Sequence, residues 1–447
     1  MVTRVLASPP DLLPGRATIV GTDSFIRLFD KKSGEEHFRR LVTNVPEVGD
    51  LLVSSVGIGT HTGHETDEVD AEYRHAITRA IELGINIIDT VITIPGYVQQ
   101  LHRIGLAMGT AECVRSVSFR SMRSERAVGW ALAEAVARGM ITRDQIVVCT
   151  KGGYLTFECD RPAYNLNPHQ WIDNTYFRRG IIESWSDVVG DCHCIAPKFL
   201  KNQVERSRRN LGLETIDVYY IHNPEEQLNG VSRGEFNARM EAAFKALEEE
   251  TAAGHITCYG VSTWKGFRVP PQDRQYLSLD DLVTIARSVG GADHHFRVAM
   301  VPFNLYMRET AEVANQWVED EQKTIYAHGK KHFDLDSFLG AAKHYGIQVI
   351  ASAVLGQGKL TGYVGEIIRD HNLPVQVLHC IADLGDGATD AQCAMQFART
   401  TPGIITAMAG MRHHFHVDEN AEVIKRIATY QYHPNLNIDP FSWSYGN

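Results

Sequence analysis

Three ionisable residues each close a short apolar, β-branched run: Asp89 in NIIDT, Lys151 in IVVCTK and His222 in VYYIH. A titratable side chain at such a position stands at the end of a strand, where partial burial and neighbouring charges tune its proton affinity. A carboxylate can anchor an ammonium, the ammonium can lower the proton affinity of a nearby hydroxyl, and an imidazole can orient or polarise a carbonyl. Together they suit proton transfer to an oxygen on which negative charge develops. Each residue alone fits a solvated or ion-paired strand end equally well. Their occurrence on successive strands is what carries the chemical reading.

The elements that must position them form a regular alternation from about Leu51 onward. Strand patterns run Leu51 to Gly57, Ile85 to Thr90, Gln145 to Lys151, Ile216 to Ile221, Ile256 to Ser262, Val298 to Phe303, Ile347 to Ala353 and Ile404 to Gly410. Helical spacing fills the intervals at Asp67 to Leu83, Ser124 to Ala137, Leu200 to Leu211, Glu235 to Ala253, Asp336 to Tyr345 and Val417 to Tyr430. A glycine follows several of these helices (Gly84, Gly212, Gly254 and Gly346), where a left-handed cap turns the chain into the next strand. Strand and helix alternating through eight strands predict an α/β fold, a parallel (β/α)8 TIM barrel. The longest connections follow strands two, three, five and six, so they decorate the C-terminal face, where barrel enzymes build their sites. Residues 1–44 read as an N-terminal extension, 45–430 as the barrel and 431–447 as a C-terminal tail. No G-x-G-x-x-G follows the first strand, which argues against a Rossmann domain.

Composition narrows the function classes. The chain has 447 residues, 44% hydrophobic and 22% charged, the balance of a soluble enzyme with a large core. A net charge of −10 argues against nucleic acid or an anionic membrane as the main partner. The eight cysteines form no paired framework and read as reduced thiols, which with the absence of a signal-like N-terminus or a spanning apolar stretch suggests a cytoplasmic protein. Cys192-His193-Cys194 is a poor zinc motif without a second pair, and the His294-His295 and His413-His414 pairs lack an evident carboxylate partner, so no metal is expected. Trp130 and Phe244 read as core, and Glu248-Glu249-Glu250 as a solvated helix face. Nothing in the pattern speaks to oligomeric state.

The chain resembles the aldo/keto reductase family from about Leu51 to Ile427. The most specific segments are RSRRNLGLETIDVYYIHNP and the last G-M-R…D-E-N; GINIIDT, RSERAVGWAL, IVVCTKGGY, GHITCYGVSTW and ASAVLGQGKLTG support them. The resemblance implies a catalytic tetrad of Asp, Tyr, Lys and His, and NADP(H) bound without a Rossmann domain. On it Asp89, Lys151 and His222 match three of the four. Ser262 matches the position that holds the nicotinamide carboxamide, with Thr263 where the family usually has Asn; Asn304, at the end of strand six, would line the site, and Leu355, Gly356 and Gly358 match the pyrophosphate loop. Gly410, Met411 and Arg412, with Glu419 and Asn420, match the adenosine end. Arg412 would meet the 2′-phosphate, a role suited to a guanidinium.

The tyrosine departs from the pattern. Counting forward from Asp89 reaches Ile94, counting back from the RSMRSER helix reaches Phe119, and neither can donate a proton. Thr93 to Ser118 reads as an insertion into the catalytic loop or as a retained intron, and Tyr97 is the substitute donor close at hand. The aromatic platform under the nicotinamide is replaced by Ser352. The resemblance implies hydride transfer between NADP(H) and a small-molecule carbonyl or alcohol. The alternatives are an NADP(H)-binding barrel with little turnover, acting in redox sensing or partner binding, and, more remotely, a metal-dependent barrel hydrolase.

Overall fold

The computed structural model describes residues 7–9, 11–29, 31–91, 122–156, 168–319, 332–362, 364, 384–385 and 387–428. Eight parallel strands close into a barrel in the order β3 (Val56–Gly59), β4 (Ile87–Asp89), β5 (Val147–Gly152), β8 (Ile216–His222), β9 (Ile256–Ser262), β10 (Phe296–Pro302), β13 (Gln348–Ser352) and β14 (Ile404–Gly410). The last pairs with the first, Gly410 lying opposite Gly59. Alternate side chains point inward: Ile87, Val147, Cys149, Val218, Tyr220, Cys258, Val298, Met300, Ile350 and Met408 fill the interior. Their opposite faces pack under the surrounding helices: α2 (Asp67–Glu82), α3 (Met122–Ala137), α4 (Pro197–Leu211), α5 (Arg233–Ala252), α6 (Leu279–Gly290), α7 (Phe338–Tyr345), α8 (Asp390–Thr400) and α9 (His414–Ala421). The caps are local chemistry. Thr66 accepts from Val69 N at the start of α2, and Gly212, at φ 62°, ends α4 in the left-handed conformation.

The expected first strand, Leu51 to Gly57, divides in two. Its first half, β2 (Leu51–Ser54), pairs antiparallel with β1 (Phe38–Leu41), and only Val56 onward joins the barrel. The break at Ser54–Ser55 is held by side chains: Ser54 Oγ donates to Val56 O at 2.7 Å and Asn86 Oδ1 accepts from Ser54 N at 2.8 Å. Leu41, Val45, Val48, Leu51 and Val53 from this hairpin join the interior cluster and plug the end where the strands begin. Before it lies α1 (Ile19–Arg27).

Two helices went unrecognised in the sequence, although both carry a start signal. Ser278 caps α6, and Thr389 with Gln392 forms a capping box on α8. Two small hairpins lie outside the sequence expectation, β6 (Val188–Val189) with β7 (His193–Cys194) and β11 (Ala314–Glu319) with β12 (Phe333–Ser337). The last helix begins at His414 rather than Val417 and gives way at Glu422 to a 3-10 turn. Of the acidic run only Glu249 is solvated: Glu248 accepts from the Tyr259 hydroxyl and from His295, and Glu250 contacts His255. Among the described residues no helix is long and apolar enough to cross a membrane.

Candidate active site

Asp89, Lys151 and His222 end three successive barrel strands, β4, β5 and β8, so the closed sheet brings them to one mouth. Lys151 Nζ lies 2.5 Å from both Asp89 carboxylate oxygens and donates to Thr90 O at 3.0 Å. Both side chains are buried. Burial pushes the Asp89 carboxyl above its ordinary value, against the pull of the Lys151 ammonium.

His222 stands beside this pair. Its imidazole is held well below the ordinary value by burial, then by the charge of Lys151, with His193 and His61 adding to it. The ring is therefore neutral near pH 7. Its Nδ1 is buried and has no hydrogen-bond partner among the described residues. Tyr154 packs edge-on against the ring, with centroids 5.1 Å apart.

The backbone beneath His222 is fixed by a relay. Arg239 donates to Gln227 Oε1 at 2.7 Å, which turns the Gln227 amide nitrogen toward His193 Nδ1 at 2.8 Å. His193 Nδ1 must then accept, so its Nε2 carries the proton and donates to His222 O at 2.8 Å. This is the role of the histidine in Cys192-His193-Cys194; among the described residues no His, Cys, Asp and Glu cluster could hold a metal. The second glycine of Lys151-Gly-Gly-Tyr lets the chain pass close by. A Cβ on Gly153, at φ 136°, would come within 3.1 Å of His222 O.

His61, two residues beyond β3, escaped the sequence reading because Thr60-His61 has no strand-end pattern of its own. Burial and the Lys151 ammonium lower its imidazole to about 4, so four neighbouring strands, not three, contribute to the mouth. Tyr97, and the whole stretch Thr93 to Ser118 with Ile94 and Phe119, lie outside the described residues.

The remaining predicted residues occupy the same end of the barrel, after β9, β10, β13 and β14. Ser262 closes β9, and the Thr263 hydroxyl accepts from Gly266 N at 2.8 Å. Buried Glu225 accepts from Trp264 N and Lys265 N at 2.9 and 3.0 Å and shapes that loop. The loop after β13 is wound unusually: Ala353, Gly356, Gln357 and Gly358 all have positive φ, at 53°, 56°, 58° and 88°. Two are not glycine, a conformation that persists only where its surroundings impose it. Asn304 holds one of the two, Ala353. Fully buried, its Nδ2 donates to Ala353 O at 2.9 Å while Oδ1 accepts from Tyr306 N and Met307 N. Asn304, expected to line the cofactor, is thereby tied to the loop that follows β13. Its carboxamide is engaged within the fold and positions the loop of Leu355, Gly356 and Gly358.

Past β14, Gly410, Met411 and Arg412 lead to α9, which carries Glu419 and Asn420. Met411 is fully buried, whereas the Arg412 side chain remains about a third exposed. Asn420 Oδ1 is buried with no hydrogen-bond partner among the described residues. A partly exposed guanidinium before a helix N-terminus and an orphaned buried carboxamide fit the phosphorylated adenosine end of a dinucleotide, and a loop of left-handed backbone fits its central pyrophosphate.

Comparison with known proteins agrees with this architecture. Residues 55–269 match the Aldo/keto reductase family. An aldo-keto reductase of Bombyx mori is 25% identical over 178 residues, 39% of this chain and 35% of its own, so the match spans about a third of that relative's length. In solved structures, a glycerol dehydrogenase of Gluconobacter oxydans shares 18% identity at a TM-score of 0.50, over 87% of this chain and 90% of its own. The holo form of an aldo-keto reductase of Bacillus halodurans shares 16% at 0.49, over 87% and 91%. At 18% identity the likeness to the glycerol dehydrogenase speaks to the fold alone, a (β/α)8 barrel. The family match therefore runs from the start of β3 past the end of β9, a little under half of the chain.

Proposed function

We propose that this protein is an NADP(H)-dependent oxidoreductase that interconverts small-molecule carbonyls and alcohols at the C-terminal mouth of its barrel. The observation that carries the reading is the buried Lys151–Asp89 pair beside neutral His222, in a domain of a reductase family. Ser262 and the loop of Leu355, Gly356 and Gly358 would hold the nicotinamide and pyrophosphate, and Arg412, Glu419 and Asn420 the adenosine end. When bound, the nicotinamide supplies or accepts a hydride.

The chain's own residues do the rest. Asp89 keeps the Lys151 ammonium in place, and Lys151 stabilises negative charge on a neighbouring oxygen. His222, neutral and fixed from below by His193, orients the carbonyl through a hydrogen bond. Tyr97 is assigned as proton donor on sequence grounds alone.

The test is NADPH consumption against a panel of aldehydes, ketones and quinones, with nucleotide binding followed in parallel. Lys151→Met should abolish turnover and leave NADPH binding intact, and Tyr97→Phe should lower kcat. Binding without turnover in the unaltered protein would identify a nucleotide-binding barrel instead. A failure to bind NADPH would remove both readings.

A further inference from the structure

Arg412, assigned above to the 2′-phosphate, already faces a negative charge. Glu72 projects from α2 toward the loop after β14, its Oε2 3.0 Å from Arg412 Nε and its Oε1 3.6 Å from His413 Nδ1. The Arg412 guanidinium also lies 2.8 Å, through Nη2, from His413 Nε2. This placement is built in. Glu72 and Arg79 are seven residues apart on one face of α2, and Arg79 meets Asp418 on α9 at 2.6 Å. Val69, Tyr73 and Ala76 bury the adjoining face.

The contact is an ion pair without hydrogen-bond geometry. Glu72 Oε2 is itself buried and takes no hydrogen bond among the described residues. It is an acceptor in want of a donor, next to a cation with the other partners named above.

These two residue types divide the nicotinamide cofactors between them. A carboxylate at the adenosine ribose accepts from a free 2′-hydroxyl and suits NAD, whereas an arginine suits the 2′-phosphate of NADP. Here both occupy one place. Building on the proposed function, we infer that Glu72 is a specificity-determining residue that makes the site dual. With NAD(H), Glu72 accepts from the ribose 2′-hydroxyl while keeping its pairing with Arg412. With NADP(H), Arg412 turns from Glu72 to the 2′-phosphate, against the repulsion of the Glu72 carboxylate.

The experiment is equilibrium titration of the full chain, by calorimetry or tryptophan fluorescence, with NADPH and NADH. Adenosine 2′,5′-bisphosphate and AMP serve as probes of the adenosine end alone. The unaltered protein should bind NADPH and NADH with Kd values within about tenfold of each other. Glu72→Gln should tighten NADPH and weaken NADH, each by about fivefold, as expected for one partly exposed charge contact. The bisphosphate and AMP should move in the same opposite directions. Arg412→Ala should weaken NADPH and leave NADH nearly unchanged. Glu72→Ser, with melting curves for every variant, guards against misfolding of any one.

A large preference for NADPH in the unaltered protein, or Glu72 variants in which both nucleotides move together or not at all, would overturn the inference and leave the proposed function standing. Binding of neither nucleotide would overturn both.

Discussion

Lys151 and Asp89 are both buried, so removing one charge strands the other in a medium that solvates it poorly. Asp89→Ala should therefore cost about 3 kcal/mol of stability, the scale for breaking one partner of a buried pair. Urea unfolding checks this, and a loss within error of zero would show that water reaches the ammonium. The neighbouring imidazole makes a different prediction. Burial and the Lys151 charge keep His222 neutral well below its ordinary range. Any pH dependence of kcat between about 6 and 8 should thus owe nothing to its protonation. A break near pH 6.5 that disappears in His222→Gln would contradict that.

The loop after β13 shows what an element can hold in store. Ala353 and Gln357 sit in left-handed backbone, and Asn304 supplies the hydrogen bond that keeps Ala353 there. Asn304→Leu removes that bond and the side-chain acceptor shared by Tyr306 N and Met307 N, while Gly356 N still donates to Ala353 O, so the cost should be about 1–3 kcal/mol in all. It should raise the Kd for NADPH as well as lower the Tm, because the loop relaxes away from its binding shape. A lowered Tm with unchanged Kd would confine Asn304 to stability.

This is also where sequence reading reached its limit. Asp89, Lys151 and His222 were legible because a polar residue ending an apolar run is a local signal, and β9 and β14 matched residue for residue. That Asn304 holds the loop after β13 was hidden because its partner, Ala353, is 49 positions away. His61, Glu72 and Glu225 escaped for the same reason: their meaning comes from contacts across strands and helices. The split of the first strand turned on two side chains, Ser54 and Asn86, that a run of apolar residues conceals.

At the scale of the whole molecule, the plugged end of the barrel sets an acid limit. His37 is fully buried there, 2.9 Å from Ser55 Oγ and close to Arg399 and Arg39, two guanidiniums that mostly bond backbone carbonyls. Burial first, then the Arg399 charge, holds its imidazole down to about 3 against an ordinary 6.5. The folded chain thus keeps His37 neutral while the unfolded chain protonates it below about 6.5. Its share of stability is full above that pH and drains away as pH falls toward 3. His37→Gln should flatten the decline of Tm between pH 6.5 and 4. An equal slope in both proteins would show that other groups govern acid unfolding.

The pairing of β14 with β3 has a consequence in time. Strands whose paired residues lie about 350 positions apart must meet before the ring is complete. On the ribosome, β3 emerges with one edge bare and stays so until β14, about 350 residues later, has been made. Such distant parallel pairing forms slowly, and a bare edge is a template for other chains. The hazard for this protein therefore lies in its synthesis more than in its finished state: its yield in a cell depends on how long that first edge is shielded, and a chain cut short before Ile404 has no means of closing.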